Sequence, residues 1–568
     1  MNFKTINAIL CAGSLLFGQA LAQQPARSEL VTPETKTSDA LYAPRFPQKE
    51  FFRRMWVTPP TKMELRPPAR LRDYAIDGKL ELSLKSFVDL VMANNTDMEI
   101  QRVSVELQQN AITRAYSIFD PLFIGNFTTQ RTKTPSSSAL DGSATLNQLS
   151  QPATFNYSQL LQNGTQINVG FGGSKLSTNS SFSTFNPAIS SNFSLGFSQP
   201  LVRNRGGIIT KLPITIARNR LRSSQLNLED TLITLLTTAE ITYWNLVGGR
   251  ETLRVREKAL ELNAEALKRS RRELELGAIS PLDIYLPEAN YASAEIAVSQ
   301  ARFSLQQLED IFRHQIAVDL DTEVRKLPIT LTESVLPPAN ATEINREAAV
   351  TRALGIRQDL KAAQQNLSID DLTIKAAVNN LRPDLALTGN YSSTGRGGTF
   401  YNRQNIFGTG QVTQVIPGGF GDALDQVFGF GFPTYQFGLR LRLPIRDRAA
   451  SSAFADALVN KKLNTLRVRT VEQLVRQDVL TTASQVESSR ASVRLAIVNR
   501  DLAQKQLDAE QKKYDLGTTV IYFVLDAQTR LVNAEADLVN QSVAYRRNLL
   551  NFLNATGELL TERGVTVQ

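Results

Sequence analysis

Cysteine and histidine are nearly absent. The 568 residues hold one of each, Cys11 and His314. One cysteine excludes a disulfide framework, and with one histidine it leaves no Cys/His metal site. A Cys–His or Ser–His catalytic pair would have to use one of those two residues, so no enzyme, metal or cofactor is expected. After the first 22 residues there is no run of ~20 apolar residues, and hence no candidate for a membrane-spanning helix. The most apolar helical stretch, 231–247, is broken by Thr234, Thr237, Thr238, Glu240 and Asn245. No Gly-Lys-Ser/Thr follows Gly206-Gly207, which excludes a phosphate loop there. The net charge is +9, yet the bases are scattered among acids without a recognition motif, so nucleic acid is not an expected partner. With 42% hydrophobic and 21% charged residues the composition is that of a folded protein. Length alone would suggest three or four domains.

The first residues give the compartment. Lys4 is a positive n-region, Ile6 to Phe17 is mostly apolar, and Ala20-Leu21-Ala22 fits the small-x-small cleavage rule. Residues 1–22 therefore read as a signal peptide cut before Gln23. Cys11 lies inside it, and Leu10 stands where a lipidation site needs a small residue. An exported chain without a spanning helix is either soluble or a β-barrel.

The chain reads as an internal duplication. Asn95-Thr96-Asp97-Met98 matches Gln358-Asp359-Leu360, and Phe119-Asp120-Pro121 matches Leu381-Arg382-Pro383, both at an offset of 262. Residues 193–201 match 437–445, and 276–295 match 516–535. Each half has the same order: a helix (about 84–117 and 346–380), a β region, a very long helix, a glycine break, and a second helix (about 283–315 and 523–555). From Pro200 to Gly277 and from Pro444 to Gly517 the chain is rich in good helix formers, although Gly248-Gly249 weakens the first stretch. A helix of that length reaches roughly 100 Å and needs partner helices along it.

The β segments alternate. Tyr435, Phe437, Leu439, Leu441 and Leu443 are apolar, whereas Gln436, Arg440 and Arg442 point the other way. Phe193, Leu195 and Phe197 keep the same period, as do Ile167, Val169 and Phe171, and Leu385, Leu387 and Tyr391. This is the pattern of a barrel strand with lipid on one side and water on the other, and also of a half-buried antiparallel strand. Asn163-Gly164 marks an extra hairpin, 154–176, in the first half; it can belong to a barrel or to an outer loop. The Gly-, Ser- and Thr-rich stretches 131–150, 172–192 and 395–433 read as long surface loops.

The signal peptide, the duplicated unit and the few strands together resemble the TolC-like outer-membrane efflux family, over about residues 80–556. The motif carrying most of the likeness runs from Gly517-Thr518-Thr519-Val520-Ile521 through Val524-Leu525-Asp526-Ala527-Gln528; its first-half partner is Gly277 to Asp283. The resemblance implies a mixed α and β membrane protein. In it a homotrimer forms a 12-stranded outer-membrane barrel, four strands per chain, continued by a 12-helix periplasmic barrel. It would work with a periplasmic adaptor and an inner-membrane transporter as an export duct. A passive pore or a structural periplasmic coiled coil without a pump is the alternative. The expected organisation is a signal peptide (1–22), a Pro-rich extension (23–80), a first repeat (81–318), a linker belting the mid-tunnel (319–345), a second repeat (346–556) and a tail (557–568).

The same resemblance supplies the candidate site. The turns Leu276-Gly277 and Leu516-Gly517 would form the adaptor-docking tip. Tyr514, Asp283 and Asp526 occupy positions of the family's polar gate. Thr519 stands where the family has an arginine and Phe523 where it has an aspartate, so an apolar closure around Phe523 is one expectation. Pro121, Pro200, Pro383 and Pro444 would mark the barrel-to-tunnel junctions, where no ladder N–H is needed. The basic run 268–272 reads as a solvated helix face, with steering of an acidic adaptor surface as the alternative.

Overall fold

The computed structural model describes residues 46–53, 56, 71–76, 78–137, 141–318, 324–337, 344–404 and 411–565. The expected signal peptide, most of the Pro-rich extension and part of the 319–345 linker lie outside the described residues. The chain divides into two units, Met1–Arg66 and Pro67–Gln568. Of the first, a short helix Lys49–Arg53 is described, where the rings of Phe46, Phe51 and Phe52 meet edge-on at 5.5–5.7 Å.

The second unit repeats two helices, strands, a long helix and a shorter helix, with different insertions among the strands of each half. Its first half runs β1 (Ala75–Ile76), β2 (Lys79–Leu82), α1 (Leu84–Asn94), α2 (Thr96–Tyr116) and strands β3 (Leu122–Phe127), β4 (Gln130–Pro135), β5 (Thr145–Leu160), β6 (Gln166–Thr178) and β7 (Phe185–Pro200). Then come α3 (Leu212–Glu275), α4 (Tyr285–Gln315) and β8 (Ile329–Leu331). The second half runs α5 (Arg346–Ile356), α6 (Gln358–Asn380), β9 (Asp384–Arg403), β10 (Val412–Ile416), α7 (Phe420–Phe428), β11 (Pro433–Arg442), α8 (Arg448–Asp515), α9 (Ile521–Thr556) and α10 (Leu559–Glu562).

Each half opens on two helices, not the one expected. Asn95 ends α1 and caps α2, its Oδ1 accepting the Met98 N–H at 3.1 Å. A side-chain acceptor of this kind competes with helix continuation, which breaks the apolar pattern into two helices. At Arg357 the equivalent break is tied by an Arg357–Asp359 ion pair at 2.7 Å.

The rods α3 and α8 have 64 and 68 residues, roughly 95 and 100 Å. Across the unit they alternate with shorter helices, in the order α2–α3–α6–α8 on the strand side and α4–α3–α9–α8 on the far side. Gly248 and Gly249 do not weaken α3. A Cβ on Gly248 would lie 2.5 Å from Val543, and one on Gly249 2.7 Å from Leu308, so the glycines admit α9 and α4 to close range.

At mid-height a small sheet belts the helices. β1 pairs antiparallel with β2, and β2 parallel with β8. Behind it lies the main apolar core, where Phe87 stacks on Phe312 at 4.6 Å beside Tyr243, and Leu236 and Leu246 are fully buried. Glu240 of α3, also fully buried, accepts two hydrogen bonds from the Arg563 guanidinium at 2.8 and 2.7 Å. That pair fastens the segment after α10 to the middle of α3.

The large sheet is wider than four strands. β3 and β4 pair with successive parts of β5, and β11 and β10 with successive parts of β9. The order across is therefore β3/β4, β5, β6, β7, β9, β10/β11: six positions, where the resemblance implied four. The stretches expected as loops, 131–150, 172–192 and 395–433, contain the ends of strands. Their Ser and Gly residues lack the β-branched signature, but they complete strands of up to 20 residues. Within 395–433, α7 lies against β9 and β7.

Candidate functional site

Each long helix ends in the same glycine turn. Gly277 and Gly517 take φ of 72° and 70°, the left-handed region that costs glycine nothing. The turns are Schellman motifs. Gly277 N–H bonds Leu274 O at 2.9 Å and Ala278 N–H bonds Glu273 O at 2.8 Å; Gly517 and Thr518 repeat this to Tyr514 and Lys513 at 2.9 and 3.0 Å. Leu276 and Leu516 are left pointing into solvent, 84% and 78% exposed. Leu282, Val520, Tyr522 and Phe523 around them are exposed as well. The tip is thus an apolar surface on rigid turns.

Just behind the tip a polar cluster joins α3 to α8. The Tyr514 hydroxyl donates to Glu273 Oε2 at 2.7 Å. Arg269 donates to Glu273 at 3.1 Å and to Asp515 at 3.2 Å, and its guanidinium lies 4.5 Å over the Tyr514 ring. Partial burial, with the Glu273 carboxylate beside it, pushes the Tyr514 phenol up to about 12. Burial works against the Arg269 charge, but the bonds to Glu273 and Asp515 outweigh it and raise the guanidinium.

Of the expected gate residues, only Tyr514 joins this cluster. Asp283 accepts the Ser280 N–H at 3.1 Å within its own turn. Asp526 pairs with Arg530 at 2.9 Å, one helical turn on. Phe523 is half exposed, its ring edge-on to Tyr522 at 5.5 Å. Sequence reasoning missed Arg269, Glu273 and Asp515. It took 268–272 for a solvated face, and Lys268, Arg269, Arg271 and Arg272 are exposed; the bonds of Arg269 to Glu273 and Asp515 and of Arg271 to Glu288 at 3.1 Å were not foreseen. An acid one turn after Arg269, on the same helix face, was the available signal. Among the described residues no group of His, Cys, Asp or Glu could hold a metal ion.

At the other end the four prolines stand where strands meet helices. Pro121 precedes β3, Pro200 ends β7, Pro383 precedes β9 and Pro444 follows β11. Above them the sheet has two faces. Paired residues share a face, so Val169, Leu195 and Tyr391 lie on one side with Tyr435, and Asn168, Gly196 and Asn390 on the other with Gln436. On the apolar side Phe437 is 74% and Leu439 69% exposed. β3 departs from the rule, with Leu122 and Ile124 on the polar side.

The flanks of the unit are also open. On the α2/α4 side Ile100, Val103, Leu107, Ile296 and Phe303 are exposed; on the α8 side Leu495, Val498 and Leu502 form a stripe at three- and four-residue steps, 51–64% exposed. The sheet ends on the same two flanks, in β3/β4 and β10/β11. Every residue of β3 and β4 is exposed, and all of β11 except Gly438.

Comparison with known proteins agrees with this geometry. The family model of the outer membrane efflux protein matches residues 349–558. Outer membrane protein TolC of Escherichia coli is 26% identical over 335 residues, 57% of this chain and 62% of that protein. Outer membrane efflux protein BepC of Brucella suis is 24% identical over 369 residues, 63% of this chain and 70% of that one. The chain thus spans somewhat under two thirds of the length of that TolC. Among solved structures, the Campylobacter jejuni CmeC outer membrane channel superposes with a TM-score of 0.57 at 16% identity, covering 88% of this chain and 91% of that one. The open-state Neisseria gonorrhoeae MtrE outer membrane channel gives 0.55 at 16%, covering 84% and 88%. The family match thus covers residues 349–558, the fold is that of solved outer membrane channels, and the chain is an outer-membrane protein.

Proposed function

We propose that three copies close head to tail into a duct that carries substrate from the periplasm, or from an inner-membrane pump, to the outside. The observation that carries this is the pair of open flanks. One presents apolar α2 and α4 beside the free edge of β3; the other presents apolar α8 beside the free edge of β11. Different surfaces meeting head to tail close into a ring when the rotation fits, and the same rotation would bury both helix stripes and join both strand edges. Four helices per chain give the twelve-helix tunnel of the family resemblance. The apolar sheet face would lie in lipid and the polar face would line water. The duct does no chemistry of its own.

The tip turns at Gly277 and Gly517 would dock a periplasmic adaptor that links the duct to an inner-membrane transporter. Leu276 and Leu516 offer it an apolar contact without rearrangement. The gate would be the narrow ring of tips, held by the Arg269–Glu273–Tyr514–Asp515 cluster within each chain. Asp283, Asp526 and Phe523, which lie outside that cluster, would face neighbouring copies. Photo-crosslinkers at Leu276 and Leu516 in intact cells test the docking. Capture of a periplasmic adaptor supports the pump-coupled duct; a trimer with no adaptor captured at either turn favours the passive pore.

A further inference from the structure

We propose that the exit of this duct is an eighteen-stranded barrel, not a twelve-stranded one, because the β5–β6 hairpin is part of the barrel wall in every copy. The inference rests on the ring reading above. It starts from register. β5 pairs with β6 from Gln148↔Thr178 to Leu160↔Gln166, and β6 with β7 from Gln166↔Ser198 to Leu176↔Ala188, without a break. β3 pairs with β5 rather than β7, so the hairpin stands between the first half's outer strands instead of hanging from them.

Its faces agree with the wall. Phe155, Phe171, Phe193 and Ser393 fall on one side in register, and Asn156, Gly170, Ser194 and Ser392 on the other. A one-residue slip would reverse this; none occurs between β5, β6 and β7, and the shift of β7 against β9 lies at one end, between Phe185 and Ala188, beyond these residues. Helix α7 spans the join on the apolar side. Phe428 stacks over Phe171 of β6 at 6.5 Å, while Ser191 of β7 and Ser393 of β9 donate to α7 carbonyls at 2.8 and 2.9 Å. The glycines beneath it leave the room: a Cβ on Gly395 would sit 1.9 Å from Ala423 O.

The chain below is adapted to carry the hairpin. Its turn closes by Leu161 N–H to Thr165 O at 2.8 Å, with Gly164 at φ +92°. The turn rests on the segment between β7 and α3, where Asn204 O would lie 2.8 Å from a Gly164 Cβ. That segment, 201–211, contains the one-turn helix Gly207–Thr210. Its second-half counterpart is only 443–447. The longer first-half junction is therefore the shelf for two strands that have no helices beneath them.

Six strands alternate in direction, so β11 of one copy meets β3 of the next antiparallel, and three copies close at eighteen. Barrel diameter grows roughly linearly with strand number, giving a bore about 1.5 times as wide and about 2.2 times the cross-section of a twelve-stranded exit. Its polar face is mostly Ser, Asn, Thr and Gly, which do not fill it. The exit would then pass bulky hydrophilic cargo, leaving selection to the tip.

Electron cryo-microscopy of the detergent-purified full-length protein tests this. A three-fold particle with eighteen strands is expected. A three-fold particle with twelve strands and the hairpin outside the wall overturns this inference alone, and a particle without a three-fold barrel overturns the ring reading beneath it. In outer membranes, single cysteines at Asn156 and Asn168 should react with a water-soluble thiol reagent while Phe155→Cys and Val169→Cys stay silent. Equal reactivity of both pairs would place the hairpin outside the wall and contradict the proposal.

Discussion

Replacing Arg563 by Ala should loosen the C-terminal segment from α3 by an amount the structure sets. Glu240 is fully buried and its recorded partner is the Arg563 guanidinium, bound at 2.8 and 2.7 Å. Removing one member of a buried pair leaves the other charge uncompensated, which costs about 3–5 kcal/mol. The Arg563 side chain keeps 26% exposure, so water reaches the site and the lower end, about 3 kcal/mol, applies. That corresponds to roughly a 100-fold rise in local opening. Amide hydrogen exchange of the detergent-solubilised protein reads it directly: protection over 559–565 should fall by about that factor. The double variant Glu240→Gln with Arg563→Met removes both charges at similar volume and should recover most of the protection, since replacing a buried pair outright is often near neutral. Unchanged exchange in Arg563→Ala, or a double variant no better than the single one, would refute the reasoning.

Four further outcomes follow from the same structure. Gly277→Ala and Gly517→Ala force a Cβ into the left-handed region at about 1–2 kcal/mol each, and should raise exchange of the tip amides without changing the mid-helix. Gly395→Ala cannot coexist with Ala423 in place, so α7 should lift off and residues 417–433 become protease-sensitive; protection equal to wild type would contradict the packing. The Tyr514 phenol is raised to about 12, so its protonated form is favoured in the fold. The stability it adds is complete below its ordinary value near 10 and disappears as pH rises through 12; alkaline absorbance titration of wild type against Tyr514→Phe should show one late-ionising tyrosine. For the gate, Tyr514→Phe with Arg269→Ala should raise single-channel conductance several-fold in planar bilayers, as should Asp283→Ala and Asp526→Ala to a smaller degree; no change would retire those residues.

The parts of the fold legible in the sequence are those written locally. Gly277 and Gly517 announce the turns because only a left-handed residue ends a helix that way. Alternation from Tyr435 to Leu443 announces β11, and the Ala- and Leu-rich stretches announce α3 and α8. What was hidden depends on distant partners. The outer ends of β5, β7 and β9 are Ser-, Thr- and Gly-rich because their neighbours, not their propensities, hold them. Helix α7 exists in a Gly- and Phe-rich stretch because Gly395 and Gly397 clear a seat for it. The parallel pairing of β2 with β8 joins residues about 250 positions apart. The Arg269–Glu273–Tyr514 cluster joins residues 241 positions apart, and only Tyr514 was visible beforehand. Gly248-Gly249 read as weakness because glycine lowers helix propensity, whereas a close helix crossing needs it.

Disulfide crosslinking across the flanks tests the central claim most directly. The only native cysteine is Cys11, so Leu502→Cys on α8 and Ile296→Cys on α4 can be read without background. Both stand about the same number of residues above the tip turns, on opposite flanks. Head-to-tail closure by three copies should give covalent dimers and trimers and nothing larger under non-reducing conditions. Monomers alone, or an open ladder beyond three, would contradict the duct.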